Sequence, residues 1–273
     1  MITSPSNSRI KEARKLQRRR ERYAQGQVLI EGVRLVRDAW QAGAQLHQIF
    51  FAPEIVAQQE AARVLIEELS GARVEVVPCS ANVFATLSET VTPQGIAATV
   101  ALPDLPIAAS HELGMTSRGL TLLLDQVRDP GNAGTLLRSA AAAGVDVVLF
   151  GPETVDPYNE KVMRAGMGAH FRTPLRVVEQ WEAMAQWLEP ALPLFVADAA
   201  GVRTYDEVDW TLPATLAVGG EAQGASEWVR AHATAINIPM ERATESLNAA
   251  IAGSVILFEA ARQRRVARKR AAP

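Results

Sequence analysis

The chain has 273 residues, of which 48% are hydrophobic and 21% charged, and its formal net charge is −2. This length and composition predict a globular protein whose hydrophobic core is large enough to be stable without disulfide bonds. Its single cysteine, Cys79, excludes an internal disulfide framework and predicts a reducing, cytoplasmic setting. No apolar run approaches the roughly 20 residues that a membrane-spanning helix needs.

A basic helix is predicted over residues 9–22, near the amino terminus, with Ile10, Ala13, Leu16 and Gln17 along one side. Arg9 to Arg22 contains eight basic and two acidic residues, and Arg262 to Arg270 contains six basic and no acidic ones. The rest of the chain then holds 14 basic and 28 acidic residues. Two cationic ends on an anionic body are either solvated helix faces or a surface that contacts a phosphate backbone.

Strand-like and helix-like patterns alternate through the remainder of the first hundred residues, which predicts a small α/β domain. The predicted strands are 27–32, 47–52, 73–77 and 95–102, and the predicted helices are 33–43 and 54–69. Residues 103–119 are rich in Pro, Ser and Gly and have no clear period, which is typical of a linker.

A second α/β series follows the linker. Its first strand, 120–127, is almost continuously apolar, as strands buried in a parallel sheet are. The other predicted strands are 145–151, 193–199, 214–220 and 234–240, and the predicted helices are 132–144 and 246–265. In such a sheet, ligands bind where loops leave the carboxyl ends of the strands.

Two glycine-bearing loops of this series carry arginines. In 125–138, Pro130 and Gly131 predict a turn, Asn132 is a candidate helix cap, and Arg138 is either a surface residue or an anion contact. In 163–175, Gly166 and Gly168 let the backbone approach a neighbour closely, and Arg164 and Arg172 flank them. By itself the second pattern also fits an ordinary loop.

The third glycine-bearing loop, 218–226, follows a predicted strand. Its glycines at 219, 220 and 224 do not match the dinucleotide fingerprint, which requires Gly where Glu221 stands. No Lys follows Gly224, so the loop is not a P-loop either. The four histidines lack metal-ligand spacing, there is no Gly-x-Ser-x-Gly elbow, and Cys79 is interpreted as a core residue.

The segment 244–253, "TESLNAAIAG", passes from a polar cluster into a stretch of almost wholly small residues near the start of the last predicted helix. A helix that only had to bury one face would usually carry larger apolar side chains. We therefore expect another part of the molecule, or a ligand, to approach this backbone closely.

Taken together, these loops resemble the motifs of the SpoU family of RNA 2′-O-methyltransferases, in the SPOUT superfamily. Asn132, Gly134 and Arg138 match its first motif, and "RAGMGAHFRTP" matches its second, with Gly166 where Ser is common. The third combines "GxExxG" with "IPM…ESLN", and here Gly220 replaces the usual Asn before Glu221. The resemblance spans roughly residues 120–265, and "LIEGVRLV" and "TPQGIAA" extend it to the family's substrate-binding domain.

The resemblance implies a fold and a cofactor. It implies an α/β fold, in which an L30e-like RNA-binding domain (1–102) and a linker (103–119) precede a SPOUT domain (120–273) with a parallel sheet and a deep trefoil knot. The three glycine-bearing loops would meet at one cleft that holds S-adenosylmethionine. The implied cofactor-binding residues are Gly219, Gly224, Ile238, Met240 and Leu247.

The resemblance also implies a reaction, the transfer of a methyl group to a ribose 2′-hydroxyl. Arg138 would be the central catalytic residue, with Asn132, Glu221, Ser246 and Asn248 orienting it or the substrate. Because a guanidinium holds its proton tightly, positioning and charge stabilisation are favoured for Arg138, and direct proton removal stays open. The expected partners are ribosomal RNA first, transfer RNA second, and a second copy of the chain.

Two other functions are compatible with parts of the sequence. A non-catalytic RNA-binding protein that kept the fold would tolerate the departures at Gly166 and Gly220. An unrelated α/β nucleotide-binding enzyme would explain the glycine-rich loops, although the failed dinucleotide and P-loop patterns weigh against it.

Overall fold

The computed structural model describes residues 1–72, 74–106, 119–184, 186–188, 192–221, 223–241 and 246–271. The chain divides into two compact units. The first comprises Met1–Pro103 and Tyr158–Phe171, and the second comprises Asp104–Pro157 and Arg172–Pro273. Sequence analysis assigned 158–171 to the second domain, whereas here this segment groups with the first unit. Residues 107–118 of the predicted linker lie outside the described residues.

The first hundred residues form a four-stranded sheet with helices around it. The sheet order is β1-β4-β2-β3, in which β4 is antiparallel to β1 and β2, and β2 is parallel to β3. The predicted helices 9–22 and 54–69 are each divided into two. The elements are α1 (Ser8–Lys15), α2 (Arg19–Gln25), β1 (Gln27–Glu31), α3 (Val33–Gln41), β2 (Leu46–Phe51), α4 (Pro53–Val56), α5 (Glu60–Ser70), β3 (Glu75–Pro78), α6 (Ala81–Phe84) and β4 (Ile96–Ala101).

The amino-terminal helix is part of the core of this unit. Ile10 and Ala13 of α1 are buried in a cluster with Phe50, Cys79 and Phe84, as the apolar spacing predicted. Burial raises the pKa of the Cys79 thiol to about 11, so the interpretation of Cys79 as a core residue is confirmed. Because α1 contributes core side chains, a truncation of the amino terminus would remove packing as well as charge.

The basic run 9–22 is not a uniform charged surface. Arg22 is buried, and its guanidinium donates hydrogen bonds to the carbonyl oxygens of Leu16 and Gln17 at 3.0 and 2.9 Å. Arg9 pairs with Glu75, and Lys15 pairs with Glu12. The remaining basic side chains are exposed, and these are Lys11, Arg14, Arg18, Arg19 and Arg20.

The rest of the chain forms a parallel sheet of seven strands in the order β7-β6-β5-β10-β8-β11-β9. The predicted strands are confirmed with shorter bounds, and β7 and β9 were not predicted. The elements are β5 (Leu120–Asp125), α7 (Pro130–Ala143), β6 (Val147–Phe150), α8 (Glu160–Gly166), a 3₁₀ turn (Ala169–Phe171), β7 (Leu175–Val177), α9 (Trp181–Met184), β8 (Leu194–Ala197), β9 (Arg203–Thr204), β10 (Ala214–Gly219), α10 (Glu227–His232), β11 (Thr234–Asn237) and α11 (Ala249–Ala271).

The small residues at the start of α11 allow this helix to pack closely on α7 and β10. A Cβ at Gly253 would lie 2.5 Å from the Cδ2 atom of Leu136 and 2.9 Å from a methyl group of Val218. Both neighbours are in the core, so neither has space to move away. The expected close approach is confirmed, and at Gly253 the approaching groups are core side chains.

The carboxyl-terminal half of α11 is tied to the sheet by a buried arginine. The Arg264 guanidinium donates to the carbonyl oxygens of Trp210, Leu212 and Gly119 at 2.7, 3.0 and 3.2 Å. Arg262 forms an ion pair with Glu259. The basic run 262–270 is therefore partly structural, which corrects its interpretation as a purely surface feature.

Replacing Arg264 with Met should lower the free energy of unfolding by about 2–4 kcal/mol, because three carbonyl groups lose their donor. Arg265→Met, at an exposed position of the same helix, is the matched control and should change it by less than about 0.5 kcal/mol. Urea unfolding followed by circular dichroism measures both. Equal losses in the two variants would contradict a structural role for Arg264.

Candidate active site

A cavity of about 460 Å³ opens at the carboxyl ends of β8, β10 and β11. This volume lies within the range of small-molecule sites, about 300–1,000 Å³. Eight of the ten residues that sequence analysis selected line this cavity. They are Gly219, Glu221, Gly224, Ile238, Met240, Ser246, Leu247 and Asn248.

The floor of the cavity is a close crossing of backbone segments. A Cβ at Gly219 would lie 2.5 Å from the amide nitrogen of Ala225, and a Cβ at Gly220 would collide with the carbonyl oxygen of Gln126. The Gly224 amide donates to the Gly220 carbonyl at 3.0 Å, and Gly224 has a φ of 67°, which favours glycine. The glycines are therefore needed for the approach of three chain segments.

A hydrogen-bonded chain of three polar side chains joins α7, the loop after β10 and the start of α11. The Asn132 side-chain amide donates to Oε1 of Glu221 at 2.6 Å, and the Asn248 amide donates to Oδ1 of Asn132 at 3.1 Å. Asn248 also caps α11, since its Oδ1 accepts from the Ala250 and Ile251 amides. The chain brings the first and third motifs together.

The expectation that Asn132 caps α7 is wrong. The helix begins at Pro130, and the cap is Asp129, whose carboxylate accepts from the Asn132 amide at 2.8 Å. Proline at the first helical position is favourable because it has no amide hydrogen to satisfy. The Asn132 side chain is therefore available for Glu221 and Asn248.

Arg138 does not line the cavity. It lies on α7, two turns beyond the cap, where its side chain is exposed and has no hydrogen bond or ion pair to any residue that the structure describes. Since no described residue pairs with it, the Arg138 guanidinium is available to an external anion.

The second motif contributes no residue to the described wall of this cavity, and the first motif meets the wall only through the bonds of Asn132 to Glu221 and Asn248. The expected meeting of all three loops at one cleft stays a prediction. Among the residues described, none of 163–175 is part of the cavity wall. A Cβ at Gly168 would lie 2.7 Å from Cβ of Asp38, on α3 of the first unit, and Arg164 pairs with Glu160 of its own helix. Close packing within the first unit explains the glycine at 168.

Comparison with protein families agrees with these motifs. Residues 119–258 match the model of the SpoU rRNA methylase family, and residues 7–98 match the MRM3-like substrate binding domain. The first match alone covers half of the chain. The chain belongs to the SpoU family.

Individual relatives of this SpoU-family chain cover nearly all of it. It is 34% identical to the human mitochondrial rRNA methyltransferase 3, over 89% of this chain and 69% of the relative. It is 30% identical to a 23S rRNA guanosine 2′-O-methyltransferase of Bacillus subtilis, RlmP, over 94% of this chain and 97% of the relative. The chain superposes with a TM-score of 0.81 on the crystal structure of the SpoU methyltransferase AviRb from Streptomyces viridochromogenes in complex with its cofactor AdoMet. The two sequences are 28% identical, and the superposition covers 94% of this chain and 98% of that one.

The SpoU-family resemblance leaves Gly220 as a departure, and the crossing supplies a physical reason for it. Any side chain at this position, including the usual Asn, would meet the Gln126 carbonyl. Gln126 itself has a φ of 56°, in the left-handed region. The departure at Gly220 thus accompanies a particularly tight approach of the loops after β5 and β10.

Two carboxylates of the site were missed by sequence analysis. Asp198 follows β8 and lines the cavity, and Asp125 ends β5 beneath the crossing. Both stand at the carboxyl ends of parallel strands, and this position is the signal that could have identified them.

Asp125 is fully buried. Its Oδ2 accepts from the Ser226 amide at 2.6 Å, and its Oδ1 has no hydrogen-bond partner among the described residues. Burial raises the pKa of the Asp125 carboxyl, and the hydrogen bonds from Ser226 offset part of that rise. The ionised form is therefore less favourable in the folded protein than in the unfolded chain.

A raised pKa means that the folded state holds the Asp125 proton more tightly than the unfolded state does. The contribution of this proton to stability is present at low pH and is lost as the pH rises through the folded-state pKa. In Asp125→Asn this loss cannot occur, so the variant should gain stability relative to wild type between pH 4 and pH 7. Urea unfolding at the two pH values measures the change.

The control for this prediction is Asp206→Asn, at an exposed aspartate outside the cavity. Its stability relative to wild type should change little across the same pH interval. A stability difference between Asp125→Asn and wild type that is the same at both pH values would contradict the assignment of a raised pKa to Asp125.

Proposed function

We propose that the protein transfers a methyl group from S-adenosylmethionine to a ribose 2′-hydroxyl in structured RNA, with ribosomal RNA as the first candidate. The observation that carries this proposal is the hydrogen-bonded network of the Asn248, Asn132 and Glu221 side chains at the cavity. The names of the SpoU-family relatives, which are rRNA methyltransferases, support the choice of RNA and of reaction.

The cavity suits S-adenosylmethionine in size and chemistry. Ile238, Met240 and Leu247 provide an apolar surface for the adenine ring, and Gly219 and Gly224 line the same cavity. A bulky residue in place of Ala252, which also lines the cavity, would reduce the space. These residues would hold the cofactor mainly through shape and main-chain groups.

When bound, S-adenosylmethionine supplies an activated methyl group on a sulfonium. The protein must then place the ribose oxygen in line with the methyl–sulfur bond and accommodate loss of the hydroxyl proton. Asn132, Glu221 and Asn248 would fix the acceptor nucleotide, with Ser246 at the same wall. Arg138 would bind the neighbouring phosphate and stabilise charge as the proton leaves.

The wild-type protein should transfer radiolabelled methyl groups to ribosomal RNA, whereas Arg138→Ala should lower kcat by at least about 100-fold. Cofactor affinity should stay within about twofold, because Arg138 does not line the cavity. Arg138→Lys keeps the positive charge but lacks the planar guanidinium, so its activity should lie between that of the wild type and that of Arg138→Ala.

Filter-binding assays on separated ribosomal and transfer RNA, with mapping of 2′-O-methyl groups, measure these rates. Equal turnover by Arg138→Ala would contradict the role of Arg138. Transfer to neither RNA by the wild-type protein would favour a non-catalytic RNA-binding protein and overturn the proposed function.

The domain assignment proposed from the sequence gives RNA recognition to residues 1–102 and chemistry to residues 120–273. The match of 7–98 to a substrate binding domain supports it. Within 1–102, Arg14 and Arg18 are exposed and have no ion pair among the described residues. They are candidates for contact with the RNA backbone, unlike the buried Arg22.

Arg14→Ala combined with Arg18→Ala should weaken RNA binding and reduce the slope of log K against log salt by about 1.4–1.8, since each lost phosphate contact removes about 0.7–0.9. The folded core should be preserved, because neither side chain is buried. Fluorescence anisotropy at several salt concentrations measures the slope. Arg63→Ala, an exposed arginine on α5, is the control, and an unchanged slope in the double variant would contradict the proposed contact.

We also propose that the sheet contains the trefoil knot implied by the resemblance. The strand order supports it, since β10 lies between β5 and β8 although β8 precedes it in the chain. The close approaches at Gly219 and Gly220 are those expected where one segment passes another.

A separate proposal concerns assembly, namely that the protein is a homodimer through the domain 120–273.

An exposed apolar stripe on α11 supports the dimer. Ile251, Val255 and Phe258 are 50%, 36% and 52% exposed and recur at the spacing of one helical face. Phe258→Glu should convert the dimer to a monomer at micromolar concentration in sedimentation velocity. Val202→Glu, at an apolar residue that is 99% exposed outside the stripe, should leave the dimer intact. A monomeric wild-type protein would overturn the proposal.

A further inference from the structure

The cavity wall has an uneven charge. Among the described residues that line it, Asp198 and Glu221 are the ionisable ones, and Lys, Arg and His are absent from that set. The described part of the wall therefore presents two carboxylates and no cation. A cavity with this charge binds a ligand of net positive charge more strongly than a neutral ligand of the same shape.

The two carboxylates differ in what they have available for a ligand. Glu221 accepts a hydrogen bond from Asn132 and belongs to the proposed catalytic network. Asp198 is partly buried, and its Oδ1 accepts from the Ala200 amide at 2.9 Å, which fixes the turn after β8. No described residue bonds to its Oδ2, so this oxygen can act on a ligand.

The position of Asp198 is fixed by the sheet. Its own amide donates to the Ile236 carbonyl at 2.9 Å, which extends the pairing of β8 with β11 by one residue. The side chain at the end of β8 and the apolar residues after β11, Ile238 and Met240, consequently line the same cavity. A carboxylate held this way acts on its surroundings without the entropy cost of ordering a flexible side chain.

The charge of the ligand changes during the proposed reaction. S-adenosylmethionine has one net positive charge, from its sulfonium. The methyl carbon leaves sulfur without the bonding electron pair and bonds to the ribose oxygen, whose proton is released to the solvent. The sulfonium becomes a neutral thioether, and S-adenosylhomocysteine has no net charge. A negatively charged wall would hold the donor before the reaction more strongly than the product after it.

We propose that Asp198 is a specificity-determining residue, whose carboxylate makes the cavity prefer the cationic methyl donor to its demethylated product. This inference rests on the proposed function, because it takes S-adenosylmethionine as the ligand. It adds a role for a residue that lies outside the three motifs. Glu221 contributes to the same field, but its place in the catalytic network makes it unsuitable for a separate test.

Asp198→Asn isolates the charge. Asparagine keeps an Oδ1 that can accept from the Ala200 amide, so the turn after β8 is retained while the negative charge is removed. Isothermal titration calorimetry on the full chain would compare S-adenosylmethionine, S-adenosylhomocysteine and sinefungin, which has an ammonium near the position of the sulfonium. The affinities for the two cationic ligands should fall about tenfold and that for S-adenosylhomocysteine less than about twofold.

Two further variants sharpen the comparison. Asp198→Glu retains the charge and should retain most of the preference for the cationic ligands. Asp206→Asn removes one negative charge at an exposed position outside the cavity and should leave all three affinities unchanged. Thermal unfolding of each variant would show that the fold is intact, and neither measurement depends on turnover.

The outcomes separate this inference from the proposed function. A larger loss for the two cationic ligands than for S-adenosylhomocysteine supports the role of Asp198. An equal loss for all three would mean that Asp198 contacts a group they share, such as a ribose hydroxyl, and would overturn the inference alone, as would no loss at all. Absence of binding of S-adenosylmethionine to the wild-type protein would overturn both.

Discussion

The constraint on which the second unit depends is the approach of three backbone segments with no space for side chains between them. Gly219, at the end of β10, lies against the backbone at Gly224, and Gly220 lies against the carbonyl oxygen of Gln126. Once these segments are in contact, the loops after β5 and β10 must share one edge of the sheet. The cavity and the bond between Asn132 and Glu221 follow from that proximity.

The last helix links packing to the site. Its small residues let it lie on α7 and β10, and Gly253 contacts core side chains. The residue that caps it, Asn248, also donates to Asn132, so the start of the helix and the polar chain at the rim are fixed by the same side chain. A change that shifts α11 would therefore alter stability and site geometry together.

Burial decides what each charged side chain does. Arg22 and Arg264 belong to basic runs, yet both are buried and donate to carbonyl oxygens, so they stabilise the fold. Asp125 is buried under the crossing with a raised pKa, whereas Asp198 reaches the cavity with one oxygen unoccupied by described neighbours. Because desolvation penalises charge, similar side chains at the ends of β5 and β8, on either side of β10, have different roles.

The sequence by itself determined the alternation of strands and helices, the parallel sheet of the second unit and the apolar face of α1, because these depend on local periodicity. Most residues of the cavity were indicated by the resemblance of the motifs to the SpoU family. Tertiary structure alone decided the division of the helices at 9–22 and 54–69, the capping of α7 by Asp129, the grouping of the second motif with the first unit, and the burial of Arg264. Asp198 belongs to this second set, since the sequence shows only that it ends a strand, and its place in the cavity depends on which strands are neighbours. Which side chains face one cavity depends on strand order, and strand order is fixed by contacts between residues that are far apart in sequence.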